Sequence, residues 1–408
     1  MTASDILMGP VFARATGVFE ALTRPAVGVV RRVDTALGRL WSRRRILVDA
    51  RTPMNLAVLS PVWEVMRDDA RLDVRFTGPA RPDLANAFAA AGIAGRVVPR
   101  ERTRLQRWDL YMNADPWEPA TLWRCRHRVN FFHGVAGKYN LECPSDLPLD
   151  FERYDRVAFP NAGRMQRYVE AGLVRPDRAA LIGFPKLDRL VNARVQPREA
   201  AAHLGLPPDR PAAIYAPTFS PQASLQGHGE AIVSHLLAGG FNVIIKLHDR
   251  SLDPDPRYSG GHDWRGRLAP FVAGGRCVLA SRGDSTEYLL AADVLVTDHS
   301  TIGFEFCALD RPVVVFDMPE LIAAARVDAG KVRLLRSAST VVSDPADVPI
   351  AAAAAMAAPD THRAERAAAV REVFHDPGRA TARAIALCYE LLDFPAEFVG
   401  ERLGAVSG

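Results

Sequence analysis

"ADVLVTDHSTIGFEFCALDRPVVVF", residues 292–316, sets two apolar runs, 294–296 and 313–316, around a polar knot and a short helix-like stretch. Asp298, His299, Ser300 and Thr301 stand in a row at the mouth of the first run. Ser or Thr at such a place caps a helix by accepting from its free backbone N–H groups. The same N–H groups, with the helix dipole behind them, also form an anion site. Glu305 lies four residues after Thr301, on the same helix face one turn further in. A carboxylate there is poorly placed to hold phosphate and well placed to accept from sugar hydroxyls. A capping box needs Glu or Gln three residues after the cap, but Gly303 follows Ser300 and Phe304 follows Thr301 at that spacing. Spacing alone leaves the cap and the nucleotide site both open.

The same alternation runs through the chain. "RRILVDA", "LDVRFTG", "RWDLYMNAD", "HRVNFFHG" and "YDRVAFPN" read as buried strands. "MNLAVLSPVWEVMRDD", "RPDLANAFAAAGI" and "AGRMQRYVEAGL" read as helices between or after them. A polar stretch, "NARVQPREAAAHLGLPPDRP", then separates this half from a second series. That series holds "AAIYAPTF", "FNVIIKLHD", "RCVLAS", "DVLVTD" and "RPVVVFD", with helices near "EAIVSHLLAGG", "STEYLLAA" and "TIGFEFCAL". Strands separated by helices predict parallel sheets covered on both faces. The expected fold is therefore α/β: two doubly wound, Rossmann-like domains over residues 45–195 and 205–390, facing a cleft. The carboxyl ends of their strands would line that cleft. His133, Thr218, His248 and 298–301 all fall at such ends.

A chain of 408 residues exceeds one ordinary core. Its five cysteines (125, 143, 277, 307 and 388) are scattered, odd in number and never spaced C-x-x-C. That argues for a reducing compartment and against a structural zinc site or a disulfide framework. No secretory signal is apparent, and no apolar run reaches the roughly 18 residues a membrane span needs. Residues 1–46 hold eight arginines against Asp5, Glu20 and Asp34, a surplus of five; with +4 overall, the remainder sums to −1. A nucleic-acid protein would spread positive charge over a folded face, so no nucleic-acid partner is expected. Within 1–44, Ala26, Val29, Val30, Val33, Leu37, Leu40 and Trp41 follow a helical period among the arginines. Such a basic amphipathic helix can lie on an anionic membrane surface. Its apolar stripe can equally pack on its own domain or on a second subunit, which leaves a homo-oligomer open.

Several spaced segments together resemble the CDP-glycerol glycerophosphotransferase family, which builds teichoic-acid-like glycerol phosphate polymers. "FFHGVAGK" (131–138) is similar to its His-Gly-x-x-x-Lys segment, and "LIGFPKLDRLV" (181–191) to its Gly-x-Pro-x-x-Asp stretch. "YAPTF" (215–219) resembles Tyr-x-Pro-Thr, and "IIKLHD" (244–249) resembles Lys-x-His. "ADVLVTDHSTIGFEF" (292–306) resembles Asp-Tyr-Ser-Ser followed by Phe-Asp, and "HDPGRATARAI" (375–385) a Gly-containing helix start. The resemblance runs from roughly 105 to 395. It departs at His299 for the usual Tyr, Thr301 for the second Ser, Glu305 for Asp, Asp249 where Pro often stands, and "VAG" for Thr-Pro-Leu.

The resemblance implies a GT-B arrangement and transfer of a phosphoglycerol unit from CDP-glycerol, or a related CDP-polyol, to a glycan or lipid-linked acceptor. It makes His133 the general base, a task suited to a group whose unperturbed pKa of about 6.5 lies near operating pH. His248 and Lys246 would place positive charge near the diphosphate, with Lys138 a further phosphate contact. Ser300 and Thr301 would donate to phosphate oxygens and Glu305 would accept from ribose. Asp298, Thr218, Gly183 and Pro185 belong to the same motifs. No cofactor and no metal are expected, and the enzyme would work in the cytoplasm at the inner face of the membrane. A nucleotide-sugar glycosyltransferase would use the same cleft and keep Glu305. A nucleotide-sugar 2-epimerase would need more carboxylates near the reacting carbon. A catalytically silent, membrane-docked nucleotide-binding subunit would keep the 300–305 site, and intact His133 and His248 count against it.

Overall fold

The computed structural model describes residues 43–394 except 117–118, 133, 136, 143–150, 254 and 282–283. The basic helix expected over 1–44 lies outside the described residues as far as 42.

Six strands form the first sheet: β1 (Arg44–Asp49), β2 (Leu72–Thr77), β3 (Arg107–Asn113), β4 (Arg124–Phe131), β5 (Arg156–Phe159) and β6 (Ala179–Leu181). Their order is β2-β1-β3-β4-β5-β6 and every pairing is parallel. Ile46, Leu47 and Val48 of β1 are all buried, because helices cover both faces and no side of the strand meets water. The helix Pro53–Arg67 crosses from β1 to β2. Thr52 caps it, accepting from the Asn55 N–H at 3.3 Å, while the Asn55 side chain reaches back to the Thr52 backbone.

The second sheet comprises β7 (Ala212–Ala216), β8 (Asn242–Ile245), β9 (Cys277–Leu279), β10 (Val294–Thr297), β11 (Val313–Phe316) and β12 (Thr340–Val342). Its order, β12-β11-β10-β7-β8-β9, is again wholly parallel. Strand order reverses between β7 and β10, and ligands of doubly wound sheets bind at such a switch point, beyond the carboxyl ends of the strands. Thr218 follows β7 and Asp298 follows β10, so the opening stretch stands at that point.

The helix Ala380–Leu391 follows the second series in the chain, yet it packs on the helices Pro53–Arg67 and Pro185–Val191 of the first. Tyr389 there donates to Asp69 Oδ2 at 2.9 Å. The expected second domain, 205–390, included this segment, because an apolar helical stripe does not say which sheet it covers. The sequence reading also passed over β6, β12 and the helices Ala329–Ser337, Val348–Ala357 and Arg363–Val373.

Candidate active site

Asp298 is fully buried and its carboxylate is spent on the protein. Oδ1 accepts from the Thr218 N–H at 2.8 Å. Oδ2 accepts from the Ser224 N–H at 3.3 Å and the Ser224 hydroxyl at 3.1 Å. Asp298 thus ties the loop after β7 to the loop after β10 and fixes the floor of the switch point. Thr218 sits on this floor and donates its hydroxyl to the His299 carbonyl at 3.3 Å.

From the first half, Lys138 reaches across and donates from Nζ to Thr218 Oγ1 at 2.7 Å. Burial lowers the Lys138 pKa to about 8, with the nearby Asp298 charge offsetting part of the shift. The ammonium therefore stands at the floor of the switch point with one hydroxyl partner among the described residues. The loop that carries it is fastened to the second half. Asp328 donates its N–H to the Gly137 carbonyl, and Tyr139 donates to the Ala325 carbonyl, each at 2.9 Å. Gly137 has φ +69, and a Cβ there would stand 2.9 Å from side-chain carbons of Glu142 and Lys331. Only glycine fits so close an approach. A Cβ on Gly134 would lie 3.7 Å from Thr301 Oγ1, so the turn after β4 faces the opening motif. His133 itself lies outside the described residues, between Phe132 and Gly134.

Ser300 occupies the N-cap position of the helix Thr301–Cys307 with extended backbone, but its side chain makes no cap hydrogen bond. The plain cap read from spacing is therefore not formed. His299 is buried, its Nε2 has no hydrogen-bond partner, and burial lowers its pKa against the pull of Asp298.

Glu305 accepts at Oε2 from Lys186 Nζ at 2.7 Å, and the same ammonium donates to Ser285 Oγ at 2.9 Å. Both members of the pair are buried. The carboxylate expected to face ribose is thus engaged by a lysine of the first half. Sequence reasoning missed Lys186, although it stands at an unassigned position of the quoted "GFPKLD". Asp188, in the same motif, accepts from the N–H of Gly378 at 2.8 Å and of Thr381 at 2.6 Å. A Cβ on Gly183 (φ +92) would meet the His375 carbonyl at 2.5 Å. Pro185 opens the helix Pro185–Val191 and its carbonyl accepts from the Thr381 hydroxyl at 3.4 Å. Gly183, Pro185 and Asp188 therefore join "GFPKLD" to "HDPGRATARAI".

β8 ends at Ile245, so Lys246 and His248 do not alternate on a strand. Lys246 is buried and donates to the Leu247 carbonyl at 2.9 Å. Burial lowers its pKa, Asp249 partly offsets this, and the Lys186 charge adds to the lowering. His248 accepts at Nδ1 from the Arg250 N–H at 3.1 Å, which leaves Nε2 to carry the ring's proton. The His248 ring lies 4.4 Å from the Phe219 ring. Among the described residues no group of three or more His, Cys, Asp or Glu could hold a metal ion, and no helix is long and apolar enough to cross a membrane.

Two parallel six-stranded sheets with functional loops meeting between them define the GT-B class of fold. Residues 145–321 match the family described as CDP-Glycerol:Poly(glycerophosphate) glycerophosphotransferase, the family that the motifs resemble. The match starts after "FFHGVAGK" and stops before "HDPGRATARAI". The teichoic acid glycerol-phosphate primase of Bacillus spizizenii is 21% identical over 169 residues, 41% of this chain and 41% of that protein. The teichoic acid poly(glycerol phosphate) polymerase of Staphylococcus epidermidis is 21% identical over 276 residues, 62% of this chain and 35% of its own. The chain thus spans well under half the length of these curated relatives. Among solved structures, a variant of the wall teichoic acid polymerase TagF superposes with a TM-score of 0.60 at 14% identity, covering 94% of this chain and 99% of that one. The S. aureus MnaA–UDP structure gives 0.53 at 11% identity, covering 86% and 97%. These likenesses carry the fold.

Proposed function

We propose that the chain is a glycerophosphotransferase, moving a phosphoglycerol or similar phospho-polyol unit from a CDP-activated donor to a hydroxyl of a glycan or lipid-linked acceptor. The observation that carries this reading is the cationic floor of the β7/β10 switch point. There Lys138 reaches Thr218 from the opposite half, in a chain matching the glycerophosphotransferase family. The acceptor oxygen attacks the phosphorus that bears glycerol, and a new P–O bond forms as the bond to CMP breaks. His133 takes the acceptor's proton. Lys138 and the hydroxyls of Ser300 and Thr301 face the diphosphate oxygens, where the charge of departing CMP develops. His248 donates from Nε2, and the buried Lys246 adds positive potential behind it. Glu305 reaches ribose through whichever lone pairs its bond to Lys186 leaves available.

The test supplies purified protein with CDP-glycerol, CDP-ribitol or UDP-sugars, each with acceptor, and follows release of CMP, CDP or UDP. CMP release from a CDP-polyol is expected. UDP release from a UDP-sugar would replace this reading with a glycosyltransferase, and donor binding without turnover would replace it with a silent binding subunit. His133→Ala should lower transfer by roughly 10²–10⁴-fold with donor affinity nearly unchanged.

The basic segment 1–44 docks the protein on the anionic inner face of the cell membrane, supported by its seven arginines. Removing residues 1–42 should free the protein from anionic vesicles, and vesicle binding by the full chain should weaken with salt. Sedimentation of the truncated protein with vesicles would remove the segment from that role.

A further inference from the structure

Lys138 and Thr218, joined at the floor of the switch point, are each followed in the chain by an aromatic residue, Tyr139 and Phe219. The two rings belong to opposite halves and carry the site outward from that floor. Phe219 has the His248 ring at 4.4 Å and the Tyr258 ring at 6.3 Å. Arg250 lies over both Phe219 and Tyr258, its guanidinium carbon 5.1 and 4.7 Å from their centroids.

The charge here is unanswered. Arg257, also over Tyr258, binds Asp255, and Arg81 binds Asp83 and reaches Asp253. Arg250 and Arg326 are both exposed, and neither guanidinium has a hydrogen bond or a carboxylate partner among the described residues. Burial raises the Tyr139 phenol, and the charges of Arg250 and Arg326 pull against it, so both stand within reach of that ring. Like charges gathered at one place repel unless an anion joins them. The backbone is held in place for such a guest. Tyr139 and Arg326 take positive φ, 56° and 45°, a strain that persists only where the surroundings over-determine the chain. The Tyr139 N–H donates at 2.9 Å to the carbonyl of Ala325, the residue before Arg326, which fastens the two across the halves.

We propose that Tyr139, Phe219, Tyr258, Arg250 and Arg326 form an acceptor subsite that holds a phosphate carried by the acceptor, with the ring faces against its polyol or sugar carbons. This rests on the glycerophosphotransferase reading. A guanidinium fork matches phosphate oxygens in pairs, and aromatic faces pack on C–H surfaces. The donor's diphosphate is already served by Lys138 and the hydroxyls of the floor, so the two arginines answer a second anion. A phosphodiester of a polyol phosphate chain and the diphosphate of a lipid-linked glycan both supply that chemistry.

The test uses the full chain with CDP-glycerol and three acceptors: a glycerol phosphate oligomer, a lipid-linked diphosphate glycan and a phosphate-free glycan. KM for acceptor and for CDP-glycerol is measured in wild type, Arg250→Gln, Arg250→Lys and Arg326→Gln, and calorimetry follows binding of each phosphate-bearing acceptor without donor. Each Gln variant should raise KM for a phosphate-bearing acceptor by roughly 10–100-fold, the worth of a charge-assisted hydrogen bond. KM for CDP-glycerol should stay nearly unchanged, and Arg250→Lys should recover part of the loss. A loss with the oligomer, the lipid diphosphate or both supports the subsite and tells which source the phosphate has. A rise in KM for CDP-glycerol, or an equal rise with the phosphate-free glycan, overturns it. So does wild-type binding of neither phosphate-bearing acceptor, or binding left unchanged in both Gln variants. If wild type releases no CMP with any acceptor yet binds one through the two arginines, the glycerophosphotransferase reading falls and the subsite stands.

Discussion

Lys186 and Glu305, 119 positions apart and rooted in opposite halves, meet at 2.7 Å in a buried ion pair. Removing one partner of such a pair leaves an uncompensated charge, whereas removing both leaves none. Lys186→Met should therefore destabilise the protein by about 3–5 kcal/mol, and Lys186→Met/Glu305→Gln should restore most of it. Denaturant melts of the wild type and both variants check this. A double variant no more stable than Lys186→Met would show that the two side chains act independently.

Lys138 offers a pH signature. Its ammonium is charged below about 8 and neutral above, and a bound diphosphate favours the charged form. CDP affinity should therefore fall as pH rises through that value, and binding near pH 9 should take up a proton, since an ordinary lysine titrates near about 10.4. Calorimetry in two buffers of different ionisation enthalpy reads this uptake. Lys138→Met should bind CDP more weakly at neutral pH and show no uptake.

Asp188 caps a helix far away in the chain, its carboxylate holding the N–H groups of Gly378 and Thr381. Asp188→Ala should cost about 1–3 kcal/mol, the usual worth of a cap plus an unpaired donor. Hydrogen exchange should rise first in residues 380–391, before the strands of the first sheet. Uniform loss of protection would refute a local cap.

His248 and His133 should separate by their pH profiles. His248→Ala removes a donor at the leaving phosphate and should slow CMP release by roughly 10²-fold, keeping the acid limb of the rate profile. His133→Ala should lose that limb, because it lacks the group that must be deprotonated to act. Loss of the limb in both variants would show that the two imidazoles titrate as one unit.

The opening stretch could be read correctly because a doubly covered strand has to be apolar throughout, and a helix between two such strands has to follow a period near four. Lys186 was not legible for the opposite reason. Its partner lies 119 positions away, and a lone lysine in a helix otherwise signals a solvated face. Thr301 and Glu305 were read as sharing one helix face behind Ser300, but Ser300 turns out to make no cap bond and Glu305 to be held by an ammonium. Such facts depend on what arrives from the other half. The short strand β12 escaped notice because three residues, one of them the exposed Val341, carry too little pattern to rise above a loop.

The packing of Ala380–Leu391 on the first series of helices bears on how the chain matures. The helices Pro53–Arg67 and Pro185–Val191 are made early, yet part of their apolar surface is covered only by residues from 380 onward. During synthesis at about 5–20 residues per second, that surface stays bare for roughly ten seconds or more after residue 191 is added. A ribosome stalled before residue 380 would hold a first half with every strand formed and an uncovered greasy flank. Chaperone engagement or aggregation of the nascent chain should peak in that interval.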